Sequence, residues 1–300
     1  MTAGKLQLKT AIDIGSHSAI LLIASEECDE GKIKLVPKIQ RVEICKLGED
    51  IYETGAISEE KLNALLKILS EYRSTIHALG ASINEIIMTE AMRRAQNATL
   101  VIEKISKTLW KEPRIITGEE EAKYTYRAVQ EWHGDNITTI DIGGGSTEFS
   151  SGKKSISVPV GALFLYKKMG TIPGPEYKNF IKETFKNNPI RDFSKRSVFL
   201  VGGTAVALGM VFLNTPEFDY KKLEGLELSM QDLETTITRI VNLSKELRAM
   251  LPGLSGGRSD IIICGLFWLR SVLERLHAES FKISTAGIRF GVLYEEAINK

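Results

Sequence analysis

The sequence predicts an α/β protein built from two related half-domains, and three observations carry that expectation. Thr10–Ser18 reads TAIDIGSHS and Thr139–Glu148 reads TIDIGGGSTE, so one strand-and-turn phrase is written twice, its aspartates 128 positions apart (141 minus 13). Around each copy, short apolar runs alternate with amphipathic helical stretches, the order of a sheet covered by helices. The length is sufficient: 300 residues, 43% hydrophobic and 26% charged, can bury two cores. Two copies of one phrase predict two lobes facing each other across a cleft.

Taken in order, Leu8–Ile14 is a buried strand and Ile20–Ser25 its hairpin partner. Strands follow at Lys32–Val36 and Gln40–Cys45, with a turn at Glu30-Gly31. Ser58 caps a long helix whose Leu62, Leu65, Leu66, Leu69, Tyr72, Ile76 and Leu79 recur at helical spacing. Glu85–Thr89 is a strand, Leu100–Trp110 a helix and Arg114–Ile116 a strand. Thr117-Gly118-Glu119-Glu120 has the form of a capping box, which predicts a helix to about Trp132. The pattern then restarts with strands at Ile137–Asp141, Thr147–Ser150 and Ser155–Val158. Helices at Ala162–Met169 and Glu176–Phe185 precede a strand at Ser197–Val201 and a helix at Ala205–Leu213. Two long helices (Met230–Met250 and Ser259–Ala278), a strand at Phe281–Ser284 and a helix from Ile288 close the chain. A hinge is expected near residues 117–137.

Composition removes several classes. Lys plus Arg is 39 against 38 acidic residues, so no broad basic face for nucleic acid is expected. Cys28, Cys45 and Cys264 form no CxxC pair, and His17, His77, His133 and His277 lack zinc-ligand spacing. No apolar run approaches a membrane span and no signal peptide is read, so a cytoplasmic, membrane-free protein is expected.

The chemistry concentrates at the repeated phrase. An apolar strand ending in Asp141, then Gly143, Gly144 and Gly145, brings a backbone within reach of an anion without Cβ obstruction. Asp141 and Glu148 are oxygen donors for Mg²⁺ (or Mn²⁺), and Ser146 and Thr147 add hydroxyls. Asp13, Ser16 and Ser18 echo this arrangement in the first half. Gly202-Gly203-Thr204 opens a further helix, whose N-terminus favours an anion. Arg93 and Arg94, in an expected loop, could fork onto phosphate. Of Glu119, Glu120 and Glu121, only one can aim into a cleft; Glu120 belongs to the capping box, and periodicity does not choose between the other two.

In series, AIDIGSHS, TEAMRRAQN, ITGEEEAKYTY, DIGGGSTE, FLVGGTAVAL, LPGLSGGRSD and STAGIRFGVL resemble the exopolyphosphatase and guanosine-pentaphosphate phosphohydrolase family along nearly the whole chain. The resemblance implies the duplicated actin/hexokinase/Hsp70-like fold, with lobes at 1–123 and 124–300 and a closing helix free to pack back on the first. It implies Glu121 as the base that activates water, Asp141 and Glu148 at the metal, Arg93 on phosphate, and Ser16, Ser18 and Gly143 to Ser146 as phosphate loops; Gly203 and Thr204 join them. The implied substrate is inorganic polyphosphate or guanosine pentaphosphate. His17, Lys123, Phe164 and Thr285-Ala286 depart from the family's usual Asn, Arg, Arg and acidic or Gly pair. The chain looks like the short, two-domain form, without the added helical domains of longer members. A homodimer through the long C-terminal helices is one expectation, and coverage of the sheet by them the other. A kinase of the same superfamily and a non-catalytic polyphosphate or alarmone sensor are the competing readings.

Overall fold

A computed structural model describes residues 8–29, 32–194, 196–255 and 257–298. The turn expected at Glu30-Gly31 lies outside the described residues, as does Gly256 of the LPGLSGGRSD segment. The chain forms two compact units, one of residues 1–131 with 288–300 and the other of residues 132–287. The sequence expectation drew the boundary after 123; by compactness it falls after Glu131, and α13 belongs with the first unit.

The first unit runs β1 (Leu8–Ile14), β2 (Ser18–Asp29), β3 (Lys32–Ile44), α1 (Ile51–Thr54), α2 (Glu59–Ala78), β4 (Glu85–Met88), α3 (Glu90–Arg94), α4 (Ala98–Leu109), β5 (Arg114–Ile115) and α5 (Gly118–His133). Its strands are ordered β3-β2-β1-β4-β5. β1 pairs antiparallel with β2 and parallel with β4, and β4 pairs parallel with β5. Ile12, Ile14, Leu21 and Ile23 bury one sheet face against Leu62, Leu65, Leu69 and Tyr72 of α2 and Val101 and Ile105 of α4. Each fully buried side chain of this size contributes roughly 1.5–3 kcal/mol. The Ser58 hydroxyl accepts from the Lys61 N–H at 3.4 Å, as the cap predicts.

The runs 32–36 and 40–45, expected as two strands, are one strand, β3. It is the sheet edge, where a proline costs least. Pairing steps from Ile23↔Ile39 to Ala24↔Pro37, so the extra residue is taken up as a bulge beside Pro37. Arg93 and Arg94 lie on the short helix α3, not in a loop. Burial of Ala91 and Met92 winds the segment, with the Met92 N–H bonded to the Thr89 carbonyl at 3.0 Å.

The second unit runs β6 (Ile137–Ile142), β7 (Thr147–Ser150), β8 (Ser155–Val158), α6 (Ala162–Met169), α7 (Tyr177–Asn187), β9 (Ser197–Val201), α8 (Gly202–Leu213), α9 (Tyr220–Leu223), β10 (Glu227–Ser229), α10 (Met230–Val241), α11 (Lys245–Ala249), α12 (Arg258–Leu276) and β11 (Ser280–Ile283). Its strand order is β10-β11-β9-β6-β7-β8. β6 is antiparallel to β7 and parallel to β9, and β9 is parallel to β11. This repeats the first sheet strand for strand, with β10 added at one edge, so the repeated phrase marks a repeated fold. The helix expected over Met230–Met250 is two: Ser244 accepts from the Leu247 N–H at 3.3 Å and starts α11 afresh. Gly202 and Gly203, expected as a turn, are the first residues of α8.

Helix α13 (Ile288–Ile298) follows and packs on β1. The Tyr294 hydroxyl accepts from the Leu35 N–H at 3.2 Å, and Asn84 donates to Glu296 at 3.2 Å. No helix among the described residues is long and apolar enough to cross a membrane.

Candidate active site

Open α/β sheets bind ligands at the carboxyl ends of their parallel strands. In the first unit β1, β4 and β5 end side by side: the Thr89 N–H reaches the Ile14 carbonyl at 3.3 Å, and the Ile116 N–H the Met88 carbonyl at 3.0 Å. Asp13 stands one residue before the end of β1, Arg93 follows β4, and Glu121 follows β5. Arg93 Nε donates to Glu90 Oε2 at 3.0 Å, which fixes the guanidinium. Its Nη1 donates to the Ile116 carbonyl at 2.8 Å and to Glu121 Oε2 at 3.1 Å. Arg93, Glu90 and Glu121 are all mostly buried. Glu119 is exposed, and Glu120 closes the capping box with Thr117 at 2.8 and 3.1 Å. Geometry therefore turns Glu121, of the three carboxylates, toward Arg93.

The first turn is pinned at its carbonyls. Gly48 N–H donates to the Ser16 carbonyl at 2.7 Å, and Cys45 and Lys46 N–H to that of His17 at 3.1 and 2.9 Å. Ser16 is buried and Ser18, the first residue of β2, half-buried. Asp13 lies 3.6 Å from Arg289 Nη1, and its Oδ1 accepts no hydrogen bond among the described residues. Burial pushes its carboxyl up to about 6, against the opposing pull of Arg289.

The second unit repeats this turn. Gly143 N–H donates to the Ser146 carbonyl at 3.0 Å, as Gly15 does to Ser18 at 2.9 Å. Ala162 and Phe164 N–H hold the Gly143 and Gly144 carbonyls at 2.9 and 3.0 Å. The fit is close enough to require glycine at 161, where a Cβ would sit 2.5–2.6 Å from the Gly143 and Gly144 backbone. Among the described residues, neither the Gly144 nor the Gly145 N–H closes this turn.

The copies differ in one decisive position. Asp13 faces Ile20 across the hairpin, whereas Asp141 faces Glu148. Directly opposed residues share a sheet face, and two carboxylates there repel unless a cation lies between them. Glu148 is buried, and Ser157 donates to its Oε1 at 2.7 Å. Hard carboxylate oxygens suit Mg²⁺ or Mn²⁺. No group of three or more His, Cys, Asp or Glu among the described residues could hold a metal. An ion here would complete its shell from water and substrate oxygens, the usual habit of Mg²⁺.

The third turn meets the same place. Gly202 has φ +83°, and a Cβ on it would run into the Asp141 carboxylate. A Cβ on Gly203 would sit 3.4 Å from Arg258 Nη2. Asp141, the N-terminus of α8 and a half-buried guanidinium thus gather at the carboxyl ends of β6 and β9. Burial alone lowers the Arg258 value, and the group stays a cation. Two hydroxyls are spoken for. Thr204 Oγ1 donates to the Ile142 carbonyl at 3.0 Å, and Thr147 Oγ1 donates to the Val160 carbonyl at 2.6 Å while accepting from Trp268 at 2.8 Å. Burial in the core commits both hydroxyls, so Thr147 does not add the anion donor that the sequence suggested, and the expectation for Thr204 rests on its place at the N-terminus of α8 rather than on its hydroxyl.

The departures resolve locally. Phe164 packs against Phe180, ring centroids 6.2 Å apart, so an apolar neighbour takes up a place where an arginine was expected. Lys123 is exposed. Sequence reasoning missed Glu90, Arg258 and Arg289 as site-adjacent residues. Each sat inside a quoted segment, but spacing alone gave none a partner.

The sequence model of the Ppx/GppA phosphatase family matches residues 26–300. A Fusobacterium nucleatum protein named bifunctional 3-dehydroquinate synthase/phosphatase is 29% identical over 98% of this chain and 47% of its own length. A Vibrio campbellii protein named guanosine-5'-triphosphate,3'-diphosphate pyrophosphatase is 26% identical over 98% of the chain and 60% of its length. The chain thus spans about half the length of these curated relatives. The crystal structure of the Aquifex aeolicus Ppx/GppA family member superimposes with TM-score 0.78 at 27% identity, covering 98% of this chain and 99% of that one. An exopolyphosphatase structure from Cytophaga hutchinsonii shares the fold at TM-score 0.85 and 20% identity, covering 98% of both chains. The two matching sheets are those of the actin-like ATPase-type fold, and the chain belongs to the Ppx/GppA phosphatase family.

Proposed function

We propose that the protein is a phosphoanhydride hydrolase that releases the terminal phosphate of inorganic polyphosphate or of guanosine pentaphosphate. The observation that carries this reading is the Arg93–Glu121 pair, a carboxylate held 3.1 Å from a guanidinium at the carboxyl edge of a parallel sheet. Glu121 takes a proton from water as the water oxygen bonds to the terminal phosphorus. The bridging P–O bond breaks, and the shortened chain leaves with its electron pair. In the first unit Arg93 and the Ser16 and Ser18 hydroxyls, and in the second the N–H groups of Gly144, Gly145 and Gly203 with the Ser146 hydroxyl, are the groups that would take up oxygen charge; the Gly143 N–H, expected among them, is spent on the Ser146 carbonyl. Asp141 and Glu148 would hold Mg²⁺ or Mn²⁺, which neutralises phosphoryl oxygens when bound. Phosphoryl transfer asks mainly for such positioning and charge compensation.

The test is Glu121→Gln. General-base help is worth about 10²–10⁴-fold, so turnover on polyphosphate and on guanosine pentaphosphate should fall by that range with binding retained. Wild-type turnover in the variant would remove Glu121 from the role. Binding by the wild type without phosphate release, with Mg²⁺ present, would make the protein a sensor.

A further inference from the structure

One carboxylate in the second unit takes donors on both of its oxygens. Glu224 Oε1 accepts from His133 Nε2 at 2.6 Å and from the Ser284 hydroxyl at 2.7 Å. Its Oε2 accepts from the Thr285 N–H at 2.7 Å and the Thr285 hydroxyl at 2.6 Å. A carboxylate offers about four lone-pair sites, and here each oxygen takes two donors. Glu224 is therefore no base and no metal ligand; its bonding capacity is spent inside the protein. Burial would raise its pKa, but the bonds from His133, Thr285 and Ser284 outweigh burial and hold it below the ordinary carboxylate range.

The donors come from particular places. The chain enters the second unit after Glu131 and leaves it after Gly287. His133 ends α5, two residues past the first crossing, and packs on Phe199 with ring centroids 4.4 Å apart and planes tilted by 33°. Ser284 and Thr285 lie just before the second crossing. Beyond the crossings, α5 carries Glu121 at its other end, and α13 carries Arg289, the partner of Asp13.

We infer that Glu224 is a positioning residue of the second unit that ties the end of α5 and the segment leading to α13 together at one carboxylate. The kinetic part rests on the hydrolase reading above; the clasp itself does not. Because a single group takes both sets of bonds, loosening one crossing loosens the other.

Four variants test this in the full chain. His133→Phe keeps an aromatic ring against Phe199 and removes one tie; Thr285→Val keeps the backbone bond and removes the other tie's hydroxyl. Glu224→Leu removes the clasp, and Glu224→Gln keeps its shape without the charge. Amide hydrogen exchange is read at the last turn of α5 and at residues 284–287. His133→Phe should speed exchange at 284–287, and Thr285→Val at the end of α5, by roughly threefold or more, and Glu224→Leu at both by roughly tenfold or more. In the Glu224→Leu background the single changes should add nothing. Phosphate release from polyphosphate should show a lower kcat at unchanged KM in Glu224→Leu, with Glu224→Gln recovering part of it. Exchange that rises only at the crossing mutated would overturn the clasp. A raised exchange with unchanged kcat would overturn the positioning role. If the wild type releases no phosphate, the hydrolase reading fails, while the exchange results still decide the clasp.

Discussion

Asp13→Asn should stabilise the folded protein at neutral pH and lose that advantage in acid. Burial raises the Asp13 carboxyl from 3.8 to about 6, with Arg289 pulling the other way. A folded value above the unfolded one means that the folded protein holds the proton more tightly. The wild-type contribution is thus fully present below about 3.8 and is lost as pH rises through about 6, where a charged carboxylate is left buried. The gap, 6 minus 3.8, at about 1.36 kcal/mol per unit amounts to roughly 3 kcal/mol. Asn keeps the shape and gives up the attraction to Arg289 with the charge, so a gain of about 1–3 kcal/mol is expected near neutrality. Urea unfolding of both proteins, free of divalent ions, between roughly pH 4.5 and 8 measures it. The two stability curves should converge toward acid. Curves that stay parallel across the range would refute the argument that Asp13 carries a buried charge.

Gly202→Ala places a methyl against the Asp141 carboxylate at φ +83°, and should cost about 1–3 kcal/mol in thermal unfolding. Thr204→Val removes a hydroxyl bonded to the Ile142 carbonyl; it should lower stability by about 1 kcal/mol and leave KM for polyphosphate unchanged, whereas a raised KM would mean that the hydroxyl itself binds substrate. Glu148→Gln should raise the Mg²⁺ concentration needed for half-maximal phosphate release roughly tenfold or more, and equal metal titrations would remove Glu148 from the ion. Arg258→Ala should raise KM for both substrates and flatten its dependence on salt, with kcat the less affected constant.

The repeated phrase made the duplication legible because a buried strand leaves little choice of residue: past Leu8, which opens β1 half-buried, β1 and β6 are buried except where Asp13 and Asp141 interrupt them. The Thr117–Glu120 capping box and the Ser58 cap were legible for the same local reason. Helix α3 was not, since its winding depends on Ala91 and Met92 meeting a core assembled from distant segments. The single strand β3 was not either, because Pro37 is tolerated only at an edge, and edge status is a property of the whole sheet. At the site, the carboxylates could be named from their strands, but the Asp141–Glu148 opposition needed the hairpin register; Glu121 over Glu119, left open by periodicity and implied by the family resemblance, gains a geometric reason only from its bond to Arg93. Arg258 and Glu224 depend on approaches between residues far apart in sequence, which no local pattern encodes.

Because β1 takes part of its cover from α13, the first unit is interrupted by the whole of the second. During synthesis its sheet can pair as soon as β5 emerges, yet one face of its central strand waits for α13. A fragment ending at Glu131 would leave apolar β1 surface open to other chains, and supplying α13 as a separate peptide, or by a circular permutation that joins it ahead of β1, is the natural way to obtain that unit alone.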